Sequence, residues 1–251
     1  MEAAGIEPRR IPCMDVCGRP RRQGRALPGP PGCGRPRRAG QEYSEAGADE
    51  LVLLDIATTV EGRDTLAGLV RRVAERVAIP FTVGGGVRTV GDAETLLEAG
   101  ADKVAVNSAA LARPELLTVL VKRLGSQAVV LAVDASGDEV RSHAGSRPAG
   151  RGAAEWAREG EEQRAGEILL TSINGDGTRD GYDLELTREV ADAVSVPVIA
   201  SGGAGPAEHV AAALEAAQAA LLASILHENP ARLVELRTEP RGLGVPLRDA
   251  A

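Results

Sequence analysis

Two aspartates are placed to share acid–base work. Asp15 ends the run IPCMD and Asp134 ends VVLAVD. If each run is a strand, both carboxylates project from strand ends. A pair there can divide proton donation from acceptance once its surroundings separate the two pKa values. An Asp after a strand can equally cap the next helix, and the residues alone leave both roles open. A second constellation is glycine-rich. Gly84-Gly85-Gly86 and Gly202-Gly203 each follow an apolar run, and Asn107-Ser108 and Ala223-Ser224 close two further runs. Glycines let backbone N–H groups approach an anion, and the next helix adds a favourable dipole. One GGG is usually only a turn. Two copies, each followed by a hydroxyl-ended run, point to two phosphate cradles facing one another, and so to a long ligand with a phosphate at each end.

The elements that must position these groups alternate along the chain. Short apolar runs occupy Ile11–Val16, Glu50–Ile56, Phe81–Val83, Lys103–Asn107, Ala128–Asp134, Glu167–Ile173, Val196–Ser201 and Ala219–Ile225. Between them lie amphipathic stretches such as Thr65–Val77, Val90–Ala99, Pro114–Leu124 and Leu184–Val194. Eight β/α units in 251 residues predict a closed (β/α)8 TIM barrel, α/β in class, occupying 1–251 as one domain. An open doubly wound sheet would also alternate, but eight strands at this length favour closure. The chain also repeats itself at an offset of 117 residues: ELVLLDI at Glu50 lies over EILLTSI at Glu167, Ile79-Pro80 over Val196-Pro197, and Gly85-Gly86 over Gly202-Gly203. With a one-residue slip, Val106-Asn107-Ser108 matches Leu222-Ala223-Ser224. The barrel is therefore expected to consist of two half-barrels. At the opposite strand ends stand Arg9, Glu50, Lys103 and Glu167. They read either as a solvated bottom face or as a ring of alternating sign closing the barrel floor.

Composition narrows the function classes. Hydrophobic residues make up 43% and charged residues 26%, enough for a sizeable core. With one Phe, one Trp and two Tyr, that core must be aliphatic, as buried parallel strands prefer. The net charge of −7 argues against a general nucleic-acid binder. Cys13, Cys17 and Cys33 supply neither a disulfide framework nor a zinc set. No apolar run is long enough for a membrane span and no secretory h-region opens the chain, so a cytoplasmic protein is expected. His143 and His209 read as loop or helix-surface residues, His227 as a mouth or structural residue, and Trp156 as a packing residue.

One stretch breaks the pattern. From Cys17 to Gly40, Arg, Gly and Pro fill 18 of 24 places and no acidic residue occurs. It reads as a basic arm for nucleic acid or an acidic partner, or as a disordered loop.

IPCMDV, ADELVLLDI, TVGGGVRT, GADKVAVNSAA, VVLAVDA, GAAEWARE, AGEILLTSINGDGTRDGYDLELT, PVIASGGAG and ASILH together resemble the cyclase subunit of imidazole glycerol phosphate synthase, from histidine biosynthesis. The resemblance covers about Arg9–Val16 and Tyr43–His227. The sister isomerase of the pathway shares the barrel, the half-repeat and a two-phosphate ligand, but the IPCMDV opening and DGTRDGYD fit the cyclase better. The resemblance implies a glutaminase partner whose ammonia crosses the barrel floor. At the mouth it would attack a bis-phosphorylated ribulosyl-formimino aminoimidazole carboxamide ribotide. Asp15 and Asp134 would be the acid–base pair. The glycine loops, with Asn107, Ser108, Asp176, Gly177, Ala223 and Ser224, would hold the substrate. Arg9, Glu50, Lys103 and Glu167 match the family's charged gate. No metal and no cofactor are implied.

The chain also departs from that family. After its DV the family carries a loop like GRVVKG, with a lysine important for activity, and then a segment like NLRDAGDPVELA. Residues 17–40 contain neither. Within the degeneracy of the code, codons for Pro30–Gly40 read one base later give LRDAGDPVEL, so a shifted reading frame accounts for the segment at unchanged spacing. A catalytically impaired barrel that only binds ligand and partner is the alternative this raises. Arg164 stands where the family has glycine, one residue is missing near Gln218, and the tail after His227 matches poorly.

Overall fold

The computed structural model describes residues 8–16, 21–22, 25–26, 36–55, 63–229 and 232–236. In chain order the strands are β1 (Arg9–Val16), β2 (Arg21–Arg22), β3 (Arg25–Ala26), β4 (Leu51–Asp55), β5 (Phe81–Gly84), β6 (Lys103–Val106), β7 (Val129–Ser136), β8 (Glu139–Ser142), β9 (Arg147–Gly152), β10 (Glu167–Ser172), β11 (Val198–Ser201) and β12 (Ala219–Leu222). The helices are α1 (Pro36–Glu45), α2 (Arg63–Ala74), α3 (Val90–Glu98), α4 (Ser108–Ala112), α5 (Glu115–Leu124), α6 (Ala153–Glu162), α7 (Leu184–Ala193), α8 (Ala207–Ala216) and α9 (Ser224–Glu228). Eight strands pair in parallel in the order β1-β4-β5-β6-β7-β10-β11-β12, and β12 returns to β1. This is the (β/α)8 barrel that the eight apolar runs predict.

The aliphatic runs face two ways. Ile11, Cys13, Val52, Ala105, Val130, Leu169, Ile199, Ala219 and Leu221 fill the barrel interior. Their neighbours Leu51, Leu53, Val104, Leu131, Ile168 and Leu170 point outward beneath the helices. Each fully buried aliphatic side chain contributes about 1.5–3 kcal/mol of transfer free energy, so a core nearly free of aromatics suffices at this size.

The strand starts are closed by side chains that complete the ladder. The Asp49 carboxylate accepts from the Arg10 N–H at 2.8 Å, Asp102 from Phe81 at 2.9 Å, and the Gln218 carboxamide oxygen from Val198 at 2.9 Å. In return, the N–H of each donates to the carbonyl of the same residue, at 3.3, 3.0 and 3.2 Å. Gln218 stands 116 residues after Asp102 and does its work. The closure is thus kept although this offset is one residue short of the 117-residue repeat.

Most boundary differences have a local cause. β6 stops at Val106 because Asn107 turns the chain (φ −119°, ψ −92°), and β12 stops at Leu222 because Ala223 repeats that turn (φ −115°, ψ −90°). β7 runs on to Ser136, two residues past Asp134, because β8 pairs with it antiparallel and β9 completes a hairpin over the mouth. That hairpin has no counterpart among the predicted runs. Of segment 17–40, the antiparallel pair β2–β3 and the start of α1 are described. Cys17, Cys33, the side chain of His227 and residues 237–251 lie outside the described residues. Among the described residues no helix is long and apolar enough to cross a membrane.

Candidate active site at the barrel mouth

Asp134 lies near the C-terminal end of β7, beside Thr171 of β10 in the parallel register. Its Oδ2 accepts from Asn107 Nδ2 at 2.8 Å. Burial pushes its carboxyl up to about 6; hydrogen bonds from Asn107 and Thr171 pull the other way, and the Asp176 carboxylate adds to the rise. Desolvation wins because it removes water from the whole carboxylate, while two neutral donors restore only part of that solvation. A carboxyl titrating near neutrality can release and regain a proton at working pH.

Asp15 occupies the matching end of β1, in register with Leu54 of β4. The Cys13 Sγ lies 3.9 Å from its Oδ1. Burial, then Asp15, then Asp176 push the Cys13 thiol well up, so it stays an S–H and is no nucleophile. The exposed Asp176, in the turn after β10, thus acts on both Asp134 and the thiol beside Asp15. Three acidic groups share one mouth, and the two aspartates that the strand ends single out stand at its C-terminal strand ends on β1 and β7.

The glycine turns are duplicated in detail. Gly85 (φ +99°) and Gly86 (φ +72°) follow β5, and Gly202 (φ +94°) and Gly203 (φ +95°) follow β11. A Cβ on Gly85 would lie 2.3 Å from the Asp55 carbonyl oxygen, and one on Gly202 would lie 2.3 Å from that of Ser172. Only glycine fits at such contact, and the sites are 117 residues apart. Gly84, ahead of the first turn, is sealed by Leu54, whose Cδ2 a Cβ would meet at 2.7 Å. Asn107 and Ala223 repeat one another's backbone at the heads of α4 and α9, which begin at Ser108 and Ser224. Ser108 Oγ accepts from the His143 N–H at 2.9 Å, so the β8–β9 hairpin leans on the first of these strand ends. Asn107 Oδ1 is buried without a hydrogen-bond partner among the described residues. Gly177 (φ +74°) sits in the exposed turn with Asp176, and no described residue lies within 4 Å of where a Cβ would stand.

At the other end, the four floor charges form one network. Arg9 Nη1 donates to Glu50 Oε2 at 2.8 Å and its Nη2 to Glu167. Lys103 Nζ reaches Glu50 Oε1 and Glu167 Oε2, both at 2.9 Å. Burial lowers the Arg9 pKa, but the two glutamates more than offset it and the net change is upward. The alternating ring, rather than a solvated face, is the arrangement found.

Several participants went unseen in the sequence. Thr171 and Thr82 are polar residues inside apolar runs, a signal that was available; the thiol at Cys13 drew notice only as a cysteine count. His209 is not a plain surface residue: it is half-buried in α8, and its Nδ1 lies 2.6 Å from where a Cβ on Gly205 would stand. Trp156 is fully buried with the Arg151 guanidinium 4.9 Å above its ring, as a packing residue should be. Among the described residues no group of His, Cys, Asp and Glu could hold a metal ion.

Fold and site together define a (β/α)8 barrel with a doubled glycine-turn mouth and an ion-paired floor. The chain belongs to the histidine biosynthesis protein family, whose model matches residues 9–232. Curated relatives named imidazole glycerol phosphate synthase subunit HisF are similar over most of its length. The protein of Acidobacterium capsulatum is 52% identical over 82% of this chain and 84% of its own. That of Exiguobacterium sibiricum is 48% identical over 95% and 98%, and that of Corynebacterium glutamicum 47% identical over 97% and 99%.

Proposed function

We propose that this chain is the cyclase subunit of imidazole glycerol phosphate synthase, working in the cytoplasm with a separate glutaminase subunit. The observation that carries the proposal is the duplicated mouth. Two equivalent glycine turns with equivalent strand ends suit a ligand bearing a phosphate at each end. Gly84, Gly85, Gly86, Asn107 and Ser108 hold one phosphate; Gly202, Gly203, Ala223 and Ser224 hold the other; Asp176 and Gly177 close over the linker. Ammonia from the partner passes the Arg9–Glu50–Lys103–Glu167 ring and travels up the apolar interior. At the mouth it attacks the bis-phosphorylated ribulosyl-formimino ribotide. Ring closure and cleavage give imidazole glycerol phosphate and aminoimidazole carboxamide ribotide. Asp134 carries the proton available near neutrality, and Asp15 accepts one on the opposite side.

The test is turnover of that ribotide by the purified chain with an ammonium salt at alkaline pH in place of the partner. Imidazole product is expected. Consumption of the unisomerised precursor without ammonia would instead identify the sister isomerase. The absence of any lysine from residues 17–40 favours a second reading, a barrel that binds ligand and glutaminase without turning over. That barrel would show a ligand-induced rise in melting temperature and no product.

A further inference from the structure

Glu50 and Glu167 stand 117 residues apart, at equivalent places in the two half-barrels, but they are not held alike. Glu50, 3% exposed, accepts from Arg9, from Lys103 and from a third donor, the Thr82 hydroxyl, at 2.9 Å. Glu167 accepts only from Arg9 and Lys103 among the described residues. The residue equivalent to Thr82 in the second half is Ile199, an apolar member of the interior with nothing to donate. Thr82 is itself 1% exposed, so its hydroxyl has no water to turn to. We infer that Thr82 is a positioning residue that makes Glu50 the fixed member of the floor ring, so that the ring parts at Glu167 when a small neutral molecule passes.

The asymmetry follows from what each opening leaves behind. If the Glu167 carboxylate swings out of the ring, it gives up two contacts and no neutral donor is orphaned. If the Glu50 carboxylate swings out instead, it gives up three contacts, and the Thr82 hydroxyl is left buried and unpaired. A buried polar group without a partner carries its full desolvation penalty. Lys103, the most exposed of the four at 19%, has the most room to move.

The inference rests on reading the floor as an ammonia gate, and its test separates the two. In the complex with the glutaminase, the measured quantity is glutamate released per imidazole product formed. Thr82→Val keeps the shape and removes the donor. One hydrogen bond to a charged acceptor is worth roughly a ten-fold change in how firmly Glu50 is seated. The glutamate-to-product ratio should therefore rise, by up to about ten-fold, as ammonia escapes an ill-seated ring. Thr82→Ser retains the hydroxyl and should restore the wild-type ratio. If Thr82→Val does not fold, Thr82→Ala carries the same comparison. A ratio unmoved in the donor-less variant, whatever happens to its melting temperature, overturns the inference, as does an equal rise in Thr82→Ser. Glu167→Gln is the reference for the gate. If it raises the ratio and Thr82→Val does not, only the role of Thr82 fails. If neither moves it, the gate itself fails.

Discussion

Gly86 in the N-terminal half and Gly203 in the C-terminal half follow the same strand end with φ of +72° and +95°, yet their surroundings differ. Among the described residues, a Cβ on Gly86 would meet nothing within 4 Å, whereas one on Gly203 would lie 2.0 Å from the Gly181 carbonyl oxygen. The Gly181 N–H also donates to the Gly203 carbonyl at 2.9 Å, so the long turn after β10 is docked onto the second glycine loop. The acidic side chains divide similarly. Asp134 at the start of the second half is half-buried and bonded to Asn107 from the first, while the Asn107-equivalent position, Ala223, can bond nothing through its side chain. Duplication has preserved the backbone of the turns. Among the described residues, the halves differ in a small set of side chains and in the loop docked on Gly203, and those are where chemistry should be concentrated.

The largest effect expected is on turnover. Asp134→Asn keeps the shape and the acceptor for Asn107 but has no proton to transfer, so ammonia-driven turnover should fall roughly 10²–10⁴-fold. Steady-state rates with the ribotide at saturation check this. A variant retaining a tenth of wild-type activity would remove Asp134 from the acid–base pair.

The docked loop sets the next effect. Gly203→Ala should cost roughly 2–4 kcal/mol, since it adds backbone collision to an unfavourable φ. Gly86→Ala should cost only about 1 kcal/mol, the left-handed penalty alone. Gly85→Ala and Gly202→Ala, which meet carbonyl oxygens at the same 2.3 Å, should be equally severe. Denaturant midpoints of the four variants would sharpen the comparison, and equal costs at 86 and 203 would break it.

Asp134 also makes a pH prediction. Its carboxyl sits near 6 in the folded chain against an ordinary 3.8. Between those values the folded state binds more protons than the unfolded one. The stability it contributes is fully present below about pH 4 and is lost as pH rises through about 6. Asp134→Asn should therefore be more stable than the native chain by about 2–3 kcal/mol at pH 8. The two melting temperatures should converge near pH 4. Lost turnover with gained stability is the expected signature of a buried functional acid.

The barrel was legible because parallel strands buried on both faces write themselves as apolar runs, and glycine turns at a fixed offset exposed the repeat. Asp15, Asp134 and the floor charges stood out because a charged residue at the end of such a run has few other reasons to be there. Thr82 and Thr171 did not, since a threonine inside an apolar strand looks the same whether or not its hydroxyl meets a carboxylate. The β8–β9 hairpin was missed for another reason. Its sequence, Glu139–Gly152, is rich in Arg, Gly and Ser, and it is held by backbone pairing of β8 to β7 and of β9 to β8, which leaves no hydrophobic alternation to read.

The smallest effect concerns two helix ends that the repeat makes equivalent. After α1, the Gly47 N–H donates to the Ser44 carbonyl and Ala48 to Tyr43, at 3.1 and 3.0 Å. After α6, Arg164 donates to Glu161 and Ala165 to Gly160, at 2.7 and 3.0 Å. Both pairs satisfy the last carbonyls of a helix by a left-handed residue just past the cap. Gly47 has φ +81° and Arg164 has φ +69°, so the second half places an L side chain where the first has none. Arg164 is exposed, and replacing it sacrifices no packing. Relief of the left-handed penalty, about 1–2 kcal/mol, is partly offset by the greater chain entropy of glycine, about 0.5–1 kcal/mol. Arg164→Gly should then gain about 0.5 kcal/mol, or roughly 1–2 °C in melting temperature for a chain this long. Gly47→Ala should lose about 0.5 kcal/mol by the same reasoning reversed. Opposite signs at the two sites would show that the halves still share one backbone requirement; a loss at both would mean that the Arg164 side chain has acquired a contact worth more than the strain it imposes.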